Sequence, residues 1–148
     1  MPTTSPTISS VQFHFLERVS LSDRTELKSF ILQLFRKEKK KLEEIRYIFC
    51  SDEYLLAINR QYLQHDFYTD IITFGLSESG QPINAEIYIS VERVKDNALN
   101  FETSFKAELH RVIFHGALHL CGYKDKKKAD QVKMREMEDK YLKLYFPG

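Results

Sequence analysis

Cysteine is scarce in this chain: Cys50 and Cys121 are the only two among 148 residues. A single possible disulfide is weak support for a secreted, disulfide-built scaffold, and two buried free thiols in a reducing cytoplasm fit the count better. Long apolar runs are missing as well. No stretch approaches the roughly 18–20 residues that a membrane-spanning helix needs. Residues 1–10 are rich in Pro, Ser and Thr and carry neither the basic start nor the apolar stretch of a secretory leader. A disordered tail on a cytoplasmic protein is the expectation. Nor does one charge dominate: 22 basic and 21 acidic side chains leave a formal net charge of +1. Overall charge therefore points neither toward nor away from nucleic acid, and only local clusters carry that information.

What is present reads as one ordinary globular domain over residues 11–148, with 43% hydrophobic and 29% charged side chains and enough length to bury a core unaided. Val11 to Phe15 alternates apolar and polar, a short strand. Ser22 or Asp23 can cap a helix running to about Lys40, with Leu27, Ile31, Leu34 and Phe35 on its buried stripe. A second strand follows over Ile45 to Cys50, and Asp52 opens a second helix through Leu55, Leu56, Ile58 and Tyr62. Ile71 to Phe74 and Glu86 to Ser90 read as two further strands, joined by the polar loop Ser77 to Asn84. From Val91 onward the pattern is helical, interrupted at Gly122. The order β-α-β-α-β-β-α-α-α predicts an α/β (α+β) fold, a mixed sheet of about four strands covered by helices. The basic run over residues 36–41 reads as a solvated helix end whose cations complement the dipole, with RNA contact as the alternative.

The chemistry concentrates in residues 115–125. His115 and His119 are four apart, so on a helix they share a face and can turn both imidazoles toward one ion. Gly122 suits the left-handed turn that ends a helix, and the chain can then fold back to deliver Asp125 as a third ligand. Three protein ligands leave a coordination position open to water, as in catalytic rather than structural zinc sites. His110 is five residues before His115, rotated by roughly 140°, so it is expected to face elsewhere in a packing or surface role. The residue after His115 is Gly116, not the glutamate that serves as general base in His-Glu-x-x-His proteases, which disfavours a peptidase of that design. A glycine there is instead expected to let another backbone or a substrate approach the helix.

Residues 115–123, His-Gly-Ala-Leu-His-Leu-Cys-Gly-Tyr, resemble the H-G-x-L-H-L-x-G-Y signature of the YbeY family of endoribonucleases. Ile58-Asn59 with Tyr62, and then Thr69 to Phe74, are similar to that family's L-N-x-x-Y and T-D-V-L-S-F segments. Ala85 to Ser90 is similar to its G-D-I strand. The resemblance runs in order from about Asn59 to Met137. Two departures stand out. The family's third ligand is usually a histidine, and Asp125 occupies that position here. A carboxylate is a legitimate zinc ligand, and a two-histidine, one-carboxylate set also admits iron or nickel. Leu63 stands where the family commonly carries an arginine thought to serve phosphate chemistry. Arg60, one turn earlier, is the candidate replacement, with a surface salt bridge as the alternative.

The resemblance implies a metal-dependent endoribonuclease, specific for single-stranded RNA, acting on the 16S rRNA precursor in 3′-end maturation and in ribosome quality control beside the small ribosomal subunit. One Zn2+ held by His115, His119 and Asp125 would polarise the scissile phosphodiester or activate a water. Lys124, Lys126, Lys127 and Lys128 are candidates to draw the phosphate backbone inward, and Phe67, Tyr68 and Tyr123 to stack unpaired bases. A solvated turn into the last helix is the bland alternative for the lysines. Two other functions compete: a ribosome-assembly RNA-binding protein with a mainly structural metal, and a metal hydrolase of another substrate such as a peptide.

Overall fold

Tyr47, Ile48, Phe49 and Cys50 are consecutive and all buried, the mark of a strand covered on both faces. The structure, a computed structural model, describes residues 8–148. Its elements are β1 (Ser10–Phe15), α1 (Arg24–Lys37), β2 (Leu42–Cys50), α2 (Asp52–Leu63), β3 (Ile71–Gly75), β4 (Ile83–Ser90), α3 (Val91–Asn100), α4 (Phe105–Leu120) and α5 (Lys128–Tyr145). This is the order expected from the sequence. The sheet runs β1-β2-β4-β3, parallel across its first three strands, with the short edge strand β3 antiparallel to β4. Register sets Phe13 beside Tyr47, Tyr47 beside Ile87 and Phe49 beside Ile89.

Because side chains alternate across a strand, β2 and β4 each feed two cores. Tyr47, Phe49, Ile87 and Ile89 join α1, α4 and α5 in the larger core, around Ile31, Phe114 and Tyr141. Cys50 meets Ile72 of β3 and Leu55 and Ile58 of α2 in the smaller one, with Phe74 and Tyr88 packed against it. Both cysteines are buried free thiols, as expected. The hydroxyl of fully buried Tyr47 donates to the Ile113 carbonyl at 2.9 Å, tying the middle of α4 to the central strand.

Several boundaries differ from the sequence reading. The expected tail over residues 1–10 falls, for residues 1–7, outside the described residues, but Ser10 already pairs with Glu44 and the Ser9 hydroxyl donates to the Leu42 carbonyl. The first helix stops at Lys37, short of Lys40. Lys39 turns left-handed at φ 59°, and the Lys40 N–H reaches back to the Phe35 carbonyl at 2.9 Å. A second break separates α3 from α4. There Glu102 has positive φ and the Ser104 side chain accepts the Ala107 N–H at 3.0 Å, capping the new helix.

The break at Gly122 is as the sequence anticipates. Its N–H bonds the His119 carbonyl at 3.0 Å, the Tyr123 N–H bonds the Leu118 carbonyl at 3.1 Å, and φ is +109°. That is a Schellman-type stop, which satisfies carbonyls at the helix end and sends the chain back toward Asp125. Open space surrounds a Cβ built there, so the penalty for a side chain is conformational. Gly122→Ala is expected to lower the urea-unfolding free energy by about 1–3 kcal/mol. A midpoint equal to wild type would show that the turn relaxes freely.

Candidate active site

Helix α4 is buried on almost every side, with Leu109, Val112, Ile113, Phe114, Ala117 and Leu118 all enclosed. A helix held this way fixes its side chains against the rest of the fold. An ideal Cβ on Gly116 would lie 2.8 Å from Ile87 Cδ1 and 3.0 Å from Ile71 Cδ1. This corrects the expectation that Gly116 clears room for a backbone or a substrate. What approaches is a pair of isoleucine side chains from β4 and β3, and the bare Cα lets the helix settle onto the sheet.

His115 emerges from that surface half-buried, its side chain 22% exposed. Its Nδ1 lies 2.7 Å from Oε2 of Glu138 on α5, and its Nε2 lies 3.2 Å from Oδ2 of Asp125. Burial disfavours charge on this ring. The hydrogen bond to Glu138 and the negative charges of Glu138, Asp125 and Asp70 outweigh it and hold the pKa above the ordinary imidazole value.

His115 and Asp125 line a cleft of about 420 Å³ between α4, α5 and the residues before β3. Its walls carry four carboxylates (Asp70, Glu108, Asp125 and Glu138) against two arginines, Arg111 and Arg135. Burial raises the pKa of both Asp70 and Glu108. Asn97 on α3 donates to Asp70 at 3.2 Å, bracing that wall. Arg111 bonds Glu138 at 3.0 Å and Asp139 at 2.7 Å, so its charge is largely spoken for. Arg135 touches Glu138 at 3.5 Å with half of its side chain in solvent, the more available cation.

The other sequence candidates are distributed differently. His119 lies one turn beyond His115 and is exposed, outside the lining of the cleft. Among the described residues no three His, Cys, Asp or Glu side chains stand together as a ready metal cluster. Arg60 is mostly solvent-exposed and paired with Asp66, away from the cleft lining. The surface salt bridge, the alternative expected for it, is the contact the structure shows. Tyr123 is half-buried and its hydroxyl donates to Glu38 Oε1 at 2.7 Å, which makes it a brace between segments rather than a free stacking surface. Phe67 and Tyr68 are exposed, Phe67 stacked on His65 and Tyr68 bonded to Glu53. Lys124, Lys126, Lys127 and Lys128 are exposed around Asp125. His110 is buried, bonds the Lys106 carbonyl at 2.7 Å and stacks on Tyr145, the packing role expected of it.

The donors fit a metal ion in part. With Nδ1–H donating to Glu138, a neutral ring turns its Nε2 lone pair toward the Asp125 carboxylate, two acceptors that a bound cation would bridge, whereas a protonated ring donates Nε2–H to Asp125. Their 3.2 Å separation is close to the edge of about 3.3 Å between neighbouring ligands on a tetrahedral zinc. A carboxylate behind a ligating imidazole is a recurrent support that fixes its tautomer. His115 and Asp125 thus stand together, whereas His119 is exposed outside the cleft lining.

Glu138, Arg111 and Arg135 had no place in the sequence reading, and Asp70 entered it only within the segment Thr69 to Phe74. Arg111 carried a usable signal: it precedes His115 by four residues, the same one-turn spacing that singled out His119. Glu138 carried none, since only the packing of α5 on α4 brings it within reach.

A family model described as "Endoribonuclease YbeY" matches residues 15–145. Among named relatives, Endoribonuclease YbeY of Cytophaga hutchinsonii is 49% identical over 134 residues, covering 89% of this chain and 94% of the relative. That of Flavobacterium psychrophilum is 46% identical over 135 residues, covering 91% and 96%. The solution structure of TM1509 from Thermotoga maritima superposes with a TM-score of 0.63 at 29% identity, covering 88% of this chain and 87% of the other. With a matching model over most of its length and relatives near half identical along about nine-tenths of it, the chain belongs to the YbeY family of endoribonucleases.

Proposed function

We propose that this chain is a metal-dependent endoribonuclease that cuts single-stranded RNA in the cytoplasm, at the 16S rRNA 3′ end and in ribosome quality control beside the small subunit. The observation that carries the reading is His115, clamped by Glu138 on one nitrogen and facing Asp125 with the other, in a cleft whose carboxylates outnumber its arginines. An anionic pocket repels a phosphodiester unless a cation is present, so this charge pattern supports a metal ion as part of the working site. His115, His119 and Asp125 would hold it, as zinc or alternatively iron or nickel. When bound it would supply Lewis acidity toward the phosphodiester oxygen or lower the pKa of a water.

The chain's own groups divide the remaining work. Glu138 orients the His115 ring, and Asn97 holds Asp70 at the cleft wall. Arg135, half in solvent at the lining, meets the incoming phosphate and takes up the cationic role that Leu63 cannot fill. A second reading, an RNA-binding assembly protein whose metal is structural, draws its support from Leu63 and from Arg60 being paired outside the cleft.

The test is cleavage of single-stranded and duplex RNA, and of a peptide, by protein stripped with a chelator and then resupplied with zinc, iron or nickel. Metal-restored cutting confined to single strands is the expected result. RNA bound but intact under every metal would favour the second reading, and peptide cleavage alone would sink both.

A further inference from the structure

Two basic runs that are far apart in sequence abut in the fold. Residues 36–41 carry five cations around Glu38, and residues 124–128 carry four around Asp125. All nine are exposed. The ion pairs among the described residues engage Arg46, Arg60, Arg93, Arg111, His115, Lys133 and Arg135, and none of these nine. Glu38 joins the runs: its carboxylate accepts the hydroxyl of Tyr123, one residue before Lys124, and that of Tyr141 on α5. The one acidic side chain within the first run is thereby turned inward onto two phenols.

On a molecule of net charge +1, such a concentration is a strongly polar feature. Its second half surrounds Asp125, so it ends at the mouth of the cleft. Lysines present point charges without sequence-reading geometry, which suits a phosphate backbone rather than bases.

From this juxtaposition we infer that the end of α1 and the turn before α5 form one continuous ridge that binds the phosphate backbone of single-stranded RNA flanking the cut site. The ridge grips substrate outside the cleft, so it governs affinity for long strands and their salt sensitivity but not the chemical step. This rests on RNA being the substrate.

The experiment compares the full chain with a Lys39→Gln, Lys40→Gln, Lys41→Gln variant and a control, Lys106→Gln with Lys143→Gln, which removes charge at the start of α4 and the end of α5. Binding of a long single-stranded oligoribonucleotide is followed by anisotropy across a salt series, beside cleavage of a short oligoribonucleotide at saturation. For every lysine that no longer neutralises a phosphate, the slope of log K against log salt should shrink by about 0.7. The ridge variant is expected to lose slope and affinity for the long strand while cutting the short one at the wild-type rate, and the control is expected to match wild type. A ridge variant with wild-type slope and thermal midpoint overturns the ridge even if wild type cleaves RNA. A wild-type chain that binds RNA with the full slope but never cuts it leaves the ridge standing and removes the nuclease reading. Absence of any RNA binding by wild type overturns both.

Discussion

Replacing His115 with alanine is expected to reduce RNA cleavage on the order of a thousandfold or more, the scale for removing one group from a preorganised charge-stabilising site. That factor corresponds to about 4 kcal/mol of transition-state stabilisation. The size follows from position. His115 pairs with both Glu138 and Asp125, so its loss dissolves the support and the donor pair together. The ring is half-buried at a cleft wall rather than in the main core, so the variant should fold, which near-ultraviolet circular dichroism would verify. Zinc content by elemental analysis provides a readout independent of turnover. Asp125→Ala should also empty the site, whereas Asp125→His should retain metal, because imidazole and carboxylate both serve zinc. His119→Ala tests the remaining donor: if it keeps full zinc content and full activity, the ion is held by His115 and Asp125 without it. Wild-type cleavage by His115→Ala would end the proposed mechanism.

The sequence revealed the elements and their order because each signal is local. Alternation marked β1, the buried stripe of Leu27, Ile31, Leu34 and Phe35 marked α1, and Gly122 marked the end of α4 with the φ it adopts. Strand neighbours were not legible. That β4 inserts between β2 and β3 is set by which faces bury Tyr47, Ile87 and Ile72, a contest among distant residues. Helix ends were missed where a non-glycine residue turns left-handed. Lys39 and Glu102 both do so, and neither residue type advertises it.

The candidate site divides along the same line. His115 and Asp125 were legible, being close in sequence and joined by a turn whose glycine is diagnostic. One-turn spacing proved ambiguous on its own: it set His119 one turn from His115, yet His119 is exposed outside the cleft lining, and Arg60, one turn before Leu63, pairs with Asp66 at the surface. Spacing gives the face of a helix, and tertiary packing decides what that face sees. Tyr123 is the clearest case, since its partner Glu38 lies 85 residues away.

Glu138 was the least legible residue and carries the largest expected effect on stability. Its side chain is 8% exposed and meets Arg111 at 3.0 Å, Arg135 at 3.5 Å and His115 at 2.7 Å. A buried carboxylate of this kind is tolerable because its partners return the desolvation cost, and those partners in turn depend on it. Glu138→Ala is therefore expected to destabilise the fold by about 3–5 kcal/mol in urea unfolding, the cost of leaving partly buried cations unpaired. Arg111 keeps Asp139, which is 58% exposed and so a weaker partner, placing the effect toward the lower end. Glu138→Gln separates structure from function. Its shape fills the site, but one carbonyl oxygen cannot accept from both Arg111 and His115 as two carboxylate oxygens do, and the amide must turn its NH2 toward one of them. Unfolding free energy should fall by only about 1–3 kcal/mol, while zinc affinity drops by roughly 10–100-fold as the His115 ring loses its orienting charge. Zinc affinity unchanged in Glu138→Gln, with the fold intact, would reduce Glu138 to a structural ion-pair partner and detach α5 from the chemistry of the cleft.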